Sequence, residues 1–209
     1  MARKLDAKCA RCRRAGAKLF LKGERCNTAK CAIVKRNYPP GIHGVKGRGK
    51  STGYGEQLTE KQKAKRIYGI LEKQFSKYYV MATNTKGDAN LELLRLLEMR
   101  LDSVVYRLGF AASRTQARQL VLHGHFVVNG KKVNIPSFQV KVGDKISVST
   151  KAQKSKIFAN LSEKLGKANI PSWLALEGKN LEGKVLNKPA REEIDTSFDI
   201  KAIIEFYSR

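Results

Sequence analysis

Residues 102–148 read DSVVYRLGFAASRTQARQLVLHGHFVVNGKKVNIPSFQVKVGDKISV, and they contain the most specific structural signals of the chain. Ser113, followed three residues later by Gln116, forms a capping box, in which each side chain satisfies a free backbone N–H at a helix start. The residues that follow place Ala117 and Leu120 at the spacing of a buried helix face. The sequence therefore predicts a helix that begins directly after Ser113.

A β-hairpin is predicted directly after this helix. Gly124 suits the left-handed residue that closes a helix. The apolar run Phe126–Val128 leads into Asn129-Gly130, a strong hairpin signal because both turn residues must adopt positive φ. A second turn at Gly143-Asp144 leads into the run Ile146–Val148. Together these signals predict a helix–turn–helix-like element followed by a β-hairpin.

The basic residues of this module gather on the helix and on the hairpin. Arg114 and Arg118 lie one turn apart and therefore share a helix face, and Lys131 and Lys132 follow the hairpin turn. We interpret the module as a surface for a nucleic-acid backbone. For the two histidines that bracket Gly124, spacing does not decide between an RNA contact and an ordinary surface or core position. The predicted RNA contacts of the module are Arg107, Arg114, Arg118, His123, His125, Lys131 and Lys132.

The composition favours a polyanionic partner. Forty-two Lys and Arg residues against eighteen Asp and Glu give the chain a net charge of +24, which opposes compaction unless a polyanion neutralises it. Nucleic acid fits that requirement better than an anionic membrane surface, and no apolar run approaches the ~20 residues that span a bilayer. The N-terminus lacks the apolar core of a secretory signal. We therefore expect a cytoplasmic protein without a membrane partner, whose cysteines stay reduced.

The charge is concentrated in the first quarter of the chain. Residues 1–50 hold fifteen Lys or Arg against two acidic residues, whereas residues 151–209 hold eleven against eight. A segment of this kind usually needs its partner in order to fold. We therefore predict a basic N-terminal arm.

The arm carries all four cysteines of the chain, as Cys9-x2-Cys12 and Cys26-x4-Cys31 with thirteen residues between the pairs. Thiolates at this spacing can converge on one tetrahedral metal ion. The predicted cofactor is one Zn²⁺ held by all four cysteines. A four-iron cluster uses the same ligand set and stays open as an alternative, as do four unrelated thiols and a redox or metal sensor. A metal would supply folding energy to an arm that is poor in apolar residues.

A glycine-rich strip follows the arm and contains a nucleotide-binding pattern. Gly44–Ser51, GVKGRGKS, matches the Walker A pattern G-x-x-x-x-G-K-[ST]. A true P-loop joins a buried strand to a helix whose N-terminus meets the phosphates, but here Pro39–His43 precedes the pattern and Thr52–Gly55 follows it. We therefore disfavour a P-loop hydrolase or an RNA-modifying enzyme, and we expect no catalytic residue and no small-molecule substrate. The favoured interpretation is an extended basic strip that follows phosphates.

Amphipathic helices make up most of the remaining chain. One is predicted over residues 59–78, another from about residue 88 to residue 105, and a third over residues 157–165. The C-terminal segment 200–207 is apolar enough to pack back onto the helices that precede the module.

These elements predict an α+β protein, mostly α with a small β ribbon. The predicted domains are a basic four-cysteine metal-binding arm at residues 1–45, a helical domain at residues 46–98 onto which residues 180–209 pack, and an inserted RNA-binding module at residues 99–179.

Five segments, in chain order, resemble the family of the bacterial small-subunit ribosomal protein number four, in its zinc-knuckle form. They are distributed over nearly the full length of the chain. The module alone is also similar to parts of tyrosyl-tRNA synthetases and pseudouridine synthases, but the catalytic domains of those enzymes have no counterpart here. The five segments are KLFLKGERC (Lys18–Cys26) with the Cys-x-x-Cys before it, YPPGIHG (Tyr38–Gly44), LLEMRLDSVVYRLGFA (Leu96–Ala111), SRTQARQLVLHGHFVVNGKKVNIPS (Ser113–Ser137) and EFYSR (Glu205–Arg209).

The resemblance implies a structural protein of the small ribosomal subunit that binds a multi-helix junction in the 5′ domain of small-subunit ribosomal RNA early in assembly. It also implies contact with the fifth small-subunit protein near the point where messenger RNA enters, and an effect on translational accuracy. In some bacteria it implies repression of the protein's own operon. Phe206 and Tyr207 are the predicted protein interface. The predicted RNA contacts outside the module are Arg3, Lys4, Arg11, Arg13, Arg14, Lys22, Arg25, Lys30, Lys35, Arg36, Tyr38, His43, Lys46, Arg48 and Lys50.

Overall fold

The structure is a computed structural model that describes residues 7–47, 49–155, 157, 158, 161, 165, 169–177, 181–194 and 196–209. It divides into two compact units, which we call the first unit (Met1–Leu93 with Asp195–Arg209) and the second unit (Leu94–Ile194). The predicted domain limits differ from these, because the arm belongs to the first unit and the module extends beyond residue 179. In the described part of the chain, no helix is long and apolar enough to span a lipid bilayer.

In the described part of the chain, the elements of the first unit are helical, and the second unit combines helices with β-strands. The helices are α1 (Lys8–Ala15), α2 (Ala32–Lys35), α3 (Gly53–Tyr68), α4 (Glu72–Thr83), α5 (Ala89–Glu98), α6 (Leu101–Arg107), α7 (Arg114–Leu122), α8 (Thr150–Gln153) and α9 (Ile200–Tyr207), with 3₁₀ turns at Gly23–Asn27 and Ile42–Lys46. The strands are β1 (Phe126–Val128), β2 (Lys131–Lys132), β3 (Lys145–Val148), β4 (Leu174–Glu177) and β5 (Glu182–Val185).

The arm packs onto α3 within the first unit. Cys12 and Ala15 of α1 are buried together with Leu19 and Leu21, and Ile67 of α3 packs against this cluster. The arm therefore has a small apolar core of its own, which the sequence pattern did not reveal. Its contact with α3 explains why it does not stand as a separate domain.

The helix predicted over residues 59–78 is two helices. The first begins at Gly53, because the Thr52 side chain accepts a hydrogen bond from the Gly55 N–H at 3.2 Å and caps it. It ends before Gly69, whose φ of +63° is the left-handed conformation that terminates helices. The apolar stripe continues across this break, which is why periodicity alone joined the two helices.

The C-terminal helix α9 packs on α3. The Asp199 side chain caps α9 by accepting from the Lys201 N–H at 2.9 Å, and the Asp199 N–H donates to Glu60 of α3 at 2.9 Å. Ile203 is fully buried, and burial of a side chain of this size contributes about 1.5–3 kcal/mol. The apolar character of this segment, noted from sequence, is thus satisfied by α3.

In the second unit, α6 and α7 pack beside an antiparallel sheet of strand order β2-β1-β3-β5-β4. β1 pairs with both β2 and β3, and β3 pairs with β5. One apolar core joins the helices and the sheet and includes Val104, Leu120, Phe126, Ile146, Trp173 and Val185.

The local signals of the module are confirmed. The Ser113 side chain accepts from the Gln116 N–H at 3.3 Å, although the Gln116 side chain returns to the Ala112 N–H rather than to that of Ser113. Asn129 and Gly130 have φ of +48° and +79°, as a type I′ hairpin turn requires. Gly124 has φ of +70°.

The α+β fold is confirmed, but the β part is larger than the hairpin signals predict: in the described part of the chain the sheet has five strands. The glycines near β4 and β5 favour a loop in the sequence, and Gly183 lies inside β5. The structure shows why glycine stands there: a Cβ at Gly183 would lie 2.5 Å from Leu108 Cδ1. Because β5 pairs with β3, residues 182–185 belong to the second unit rather than to a return onto the helical domain.

The helix predicted from about residue 88 to residue 105 is interrupted at Arg100. Its backbone is extended, with ψ of 141°, and it bridges to Gln139. The helix predicted over residues 157–165 lies largely outside the described residues, of which Phe158, Leu161 and Leu165 are buried.

Candidate nucleic-acid interface

Two arginines of the module share a buried carboxylate. The Arg107 guanidinium donates to both oxygens of Glu98, at 3.0 and 2.9 Å, and Arg114 Nη2 donates to Oε1 at 2.9 Å. Glu98 is fully buried, whereas the side chains of Arg107 and Arg114 are each 18% exposed. The Arg114 guanidinium also lies over the Tyr106 ring, 4.7 Å from its centroid. Charged hydrogen bonds of this kind hold both guanidinium groups in place.

A second buried carboxylate repeats the arrangement. Arg100 donates to the two oxygens of Asp102 at 2.9 and 2.7 Å, and Arg118 Nη1 donates to Oδ2 at 3.1 Å. Arg100 and Asp102 are 0% and 3% exposed, and Arg118 is 8% exposed. Arg118 therefore connects α7 to the start of α6, and its first role is structural. RNA contact by Arg107, Arg114 and Arg118 stays a prediction.

The two lysines of the hairpin are exposed to solvent. Lys131 and Lys132 are exposed on β2, and the Lys132 side chain covers Gly124 so closely that a Cβ there would lie 2.3 Å from Lys132 Cε. The His123 and His125 rings lie 6.0 Å apart. Burial lowers the pKa of His125, and the neighbouring charges of His123 and Lys132 lower it further. These four side chains form one basic edge of the second unit.

The four cysteines line one pocket of the first unit. Cys9 and Cys12 lie on α1, Cys26 lies in a 3₁₀ turn and Cys31 directly precedes α2. All four are free thiols, and all but Cys9 are buried. Burial raises the pKa of Cys12, the Leu19 N–H hydrogen bond lowers it, and the other three thiols raise it again.

The chemistry of this donor set fits a soft metal ion, because four thiols from three separate elements face the same space. Among the described residues, however, no group of three or more His, Cys, Asp or Glu side chains is placed so that it could hold a metal ion. Zinc and the iron–sulfur alternative therefore stay predictions.

Arg13 fixes the glycine-rich strip to the arm. Its guanidinium donates to the carbonyl oxygens of Tyr38 and Pro39, at 2.9 and 3.2 Å, and lies over the Tyr38 ring at 4.7 Å. Two residues predicted to contact RNA thus contact each other. The turn requires glycine at position 44, because a Cβ there would lie 1.8 Å from the Pro39 carbonyl oxygen.

The described residues of the Walker A pattern, 44–47 and 49–51, have neither the strand before them nor the helix directly after them that a P-loop has. No strand enters it: the described residues before Gly44 form a bend and a 3₁₀ turn. The helix that follows begins only at Gly53, and its N-terminus is already occupied by the Thr52 cap, next to a Ser51 hydroxyl that donates to Glu56 at 2.7 Å.

Exposed cations cover the arm and the strip. Arg14, Lys22, Arg25, Lys30, Lys35, Arg36, His43, Lys46 and Lys50 are exposed, and Arg11 is partly buried. The predicted contacts Arg3, Lys4 and Arg48 lie outside the described residues.

Arg66 of α3 was missed from the sequence. Burial lowers its pKa, and the charges of Arg11 and Arg14 on α1 lower it further. Three guanidinium groups from two helices therefore share one region, a concentration of like charge that a phosphate would relieve. The helical stripe assigned Ile67 to the core, but spacing could not reveal that its packing partner is α1.

The predicted protein-interface residues pack inside the first unit. Lys61 Nζ lies 4.0 Å from the centroid of the Phe206 ring, and the Tyr207 ring stacks on Tyr79 at 4.7 Å. The Tyr207 hydroxyl donates to Glu72. Both rings remain partly exposed, so a protein contact by them stays a prediction.

Comparison with known proteins accounts for the whole chain. Residues 3–98 match the family described as Ribosomal protein S4/S9 N-terminal domain, and residues 99–146 match the S4 domain. Over 209 residues, all of both chains, the sequence is 56% identical to small ribosomal subunit protein uS4A of Alkaliphilus metalliredigens. It is 54% identical to uS4 of Heliobacterium modesticaldum, again over all of both chains. The chain belongs to the uS4 family of small ribosomal subunit proteins. Its relatives are named as ribosomal proteins rather than as enzymes, and the basic surfaces described above are those of a uS4 protein.

Proposed function

We infer that this chain is a structural constituent of the small ribosomal subunit that binds ribosomal RNA, and that it acts in the cytoplasm as part of that subunit. The inference rests on sequence identity of 54–56% to uS4 proteins over the full length of the chain. The function needs no catalytic group.

The surfaces of both units suit structured RNA. Double-helical RNA is recognised mainly through its shape, its phosphates and its 2′-hydroxyl groups, so cations on fixed elements are more useful than groups that read base edges. In the first unit, Arg13 holds the strip against the arm and the exposed cations project from that frame. In the second unit, Lys131 and Lys132 project from a hairpin whose turn is fixed by Asn129 and Gly130.

The test is a salt titration of binding. The full chain is titrated against a transcript of the 5′ domain of small-subunit ribosomal RNA and against an RNA of equal length and reversed sequence. We expect preference for the domain, with log K falling against log salt concentration by roughly 0.7–0.9 for each phosphate contact. Equal binding of both RNAs would contradict the proposed function.

At a finer level, we propose that the RNA target is the multi-helix junction of the 5′ domain, bound early in assembly. We further propose a contact with the fifth small-subunit protein near the point where messenger RNA enters, through which the protein affects accuracy, and a capacity to repress its own messenger. The family membership supports these roles. Chemical footprinting of the junction, with and without the full chain, tests the first of them.

We also propose that Cys9, Cys12, Cys26 and Cys31 hold one zinc ion, which would pin α1 to the segment that follows it. The shared pocket and the soft thiol donors support this proposal. Elemental analysis of the purified chain should give one zinc per chain, and Cys9→Ser should lower that ratio. Ala29→Ser, which places a serine in the exposed loop between Cys26 and Cys31 without removing a thiol, should keep it. Iron with sulfide would favour the alternative cluster, and no metal would overturn the proposal.

A further inference from the structure

Phe20 has an uncommon backbone conformation and an exposed ring. Its φ is +47°, in the left-handed region that residues other than glycine rarely adopt. Its side chain is 48% exposed, while its neighbours Leu19 and Leu21 are only 3% and 8% exposed. The two leucines anchor the segment in the apolar core of the arm, and the ring between them is left in solvent.

The surroundings of this ring are cationic. Lys18 and Lys22 flank it in sequence, and Lys22 and the nearby Arg25 are exposed. Within the described part of the chain, the Phe20 ring makes no stacked, edge-on or cation–π contact with another side chain. An exposed aromatic ring beside exposed cations is the combination with which proteins bind unpaired nucleotides, because the ring stacks on a base while the cations meet the backbone.

We propose that Phe20 stacks on an unpaired base of the RNA that the arm binds. This inference rests on the proposed function and adds to it a contact with a nucleobase, whereas the lysines and arginines of the arm offer charge to phosphates. A protein partner fits the site less well, because the ring stands among cations rather than within an apolar patch. The left-handed backbone is uncommon enough to need a reason, and presentation of this ring to a base supplies one.

The experiment compares two substitutions that leave the same backbone demand. Phe20→Leu keeps an apolar side chain but removes the aromatic face, whereas Phe20→Trp keeps a stacking surface. We expect Phe20→Leu to bind the 5′ domain transcript roughly 5- to 140-fold more weakly, which is 1–3 kcal/mol of base stacking at 1.4 kcal/mol for each factor of ten. Phe20→Trp should bind within about threefold of the unsubstituted chain, a threshold set well below the loss expected from stacking.

The salt dependence separates stacking from charge. Because neither substitution removes a cation, the slope of log K against log salt concentration should stay unchanged in both variants. Phe138→Leu is the matched control, since Phe138 is 36% exposed in the second unit and should bind like the unsubstituted chain. Circular dichroism and the thermal midpoint of each variant establish that it is folded.

Fluorescence gives a direct reading of the contact. Trp173 is the single tryptophan of the chain and is 2% exposed, so it contributes a nearly constant background. The indole introduced by Phe20→Trp should be quenched when the transcript is added. No added quenching, unchanged binding by Phe20→Leu, or equal losses in Phe20→Leu and Phe138→Leu would overturn the inference. Failure of the unsubstituted chain to prefer the transcript would instead overturn the proposed function, and this inference with it.

Discussion

The arginines of the second unit and the cations of the arm differ in what neutralises them. Glu98 and Asp102 are buried, and each accepts hydrogen bonds from two arginines. In the arm, Lys22 and Lys30 are exposed and form no ion pair in the described part of the chain. Arginines therefore hold the second unit together, whereas Lys22 and Lys30 of the arm remain available to a polyanion. A basic residue on a predicted helix face therefore indicates RNA binding only once its carboxylate partners are known.

The strongest test of the paired arginines is Asp102→Asn. The substitution keeps the shape of the side chain but removes the charge between Arg100 and Arg118. We expect the free energy of unfolding of the second unit to fall by about 3–5 kcal/mol, because breaking a buried ion pair leaves uncompensated charge. Urea unfolding followed by Trp173 fluorescence measures this, since Trp173 belongs to the core of the same unit.

The control for this substitution is Glu192→Gln. Glu192 is an exposed acid of the second unit, and its change should alter the free energy of unfolding by no more than about 0.5 kcal/mol. Equal effects of the two substitutions would show that the Asp102 ion pairs contribute nothing to stability beyond net charge. The arginines of the second unit would then not differ from the cations of the arm.

The exposed cations of the arm are tested by a triple variant that combines Lys22→Gln, Arg25→Gln and Lys30→Gln. Because these side chains are exposed, the thermal midpoint should not change. The salt dependence of binding to the 5′ domain transcript should flatten by roughly 2–3, from three contacts at 0.7–0.9 each. A triple variant with Lys73, Lys77 and Lys86 changed to Gln removes the same charge from exposed positions on α4 and after it. If both variants flatten the slope equally, the arm has no special share of the binding.

A smaller effect distinguishes the strip from a nucleotide-binding loop. Gly44→Ala should destabilise the turn at Tyr38–Lys46 by about 1–3 kcal/mol, the range for overpacking, because its Cβ would meet the Pro39 carbonyl oxygen. Gly49→Ala should be neutral, since a Cβ there meets nothing within 4 Å. Limited proteolysis of the strip and affinity for the transcript measure both. A P-loop would require glycine at position 49. If Gly49→Ala alone lowered the affinity for the transcript, the interpretation as an extended basic strip would be contradicted.

Local signals were predictable from the sequence, and pairings between distant residues were not. The Ser113 cap and the Asn129-Gly130 turn depend on neighbouring residues, and both are confirmed. Gly183 misled, because a glycine inside a strand favours a loop until Leu108 is seen to approach it. Glu98, at 0% exposure, joins arginines nine and sixteen residues away, and no helical spacing indicates that. Arg66 was missed for the same reason, since its neighbours lie on α1.

Glu72 tests whether ion pairs also stabilise the first unit, because it pairs with Lys61 and Lys65 of that unit. Partial burial would raise its pKa, but hydrogen bonds from Lys65, Tyr207 and Lys61 outweigh this and lower the pKa to about 2. A carboxylate whose pKa is depressed on folding stabilises the fold above its unfolded pKa of about 4.3. That contribution is then lost as the pH falls toward 2.

The thermal midpoint of the unsubstituted chain should therefore fall more steeply than that of Glu72→Gln between pH 4.5 and pH 2, and the two should converge at the acid end. The difference should be the smallest of those predicted here, because the Glu72 side chain is 47% exposed and water screens its pairs. Burial and the Glu72 hydrogen bond raise the pKa of Tyr207, so its hydroxyl stays a donor throughout this range. Near-ultraviolet circular dichroism of the stacked Tyr79–Tyr207 pair follows the transition, and Glu24→Gln, at an exposed acid of the arm, should leave it unchanged. Parallel pH curves for the unsubstituted chain and Glu72→Gln would show that Lys61 and Lys65 behave like the unpaired cations of the arm.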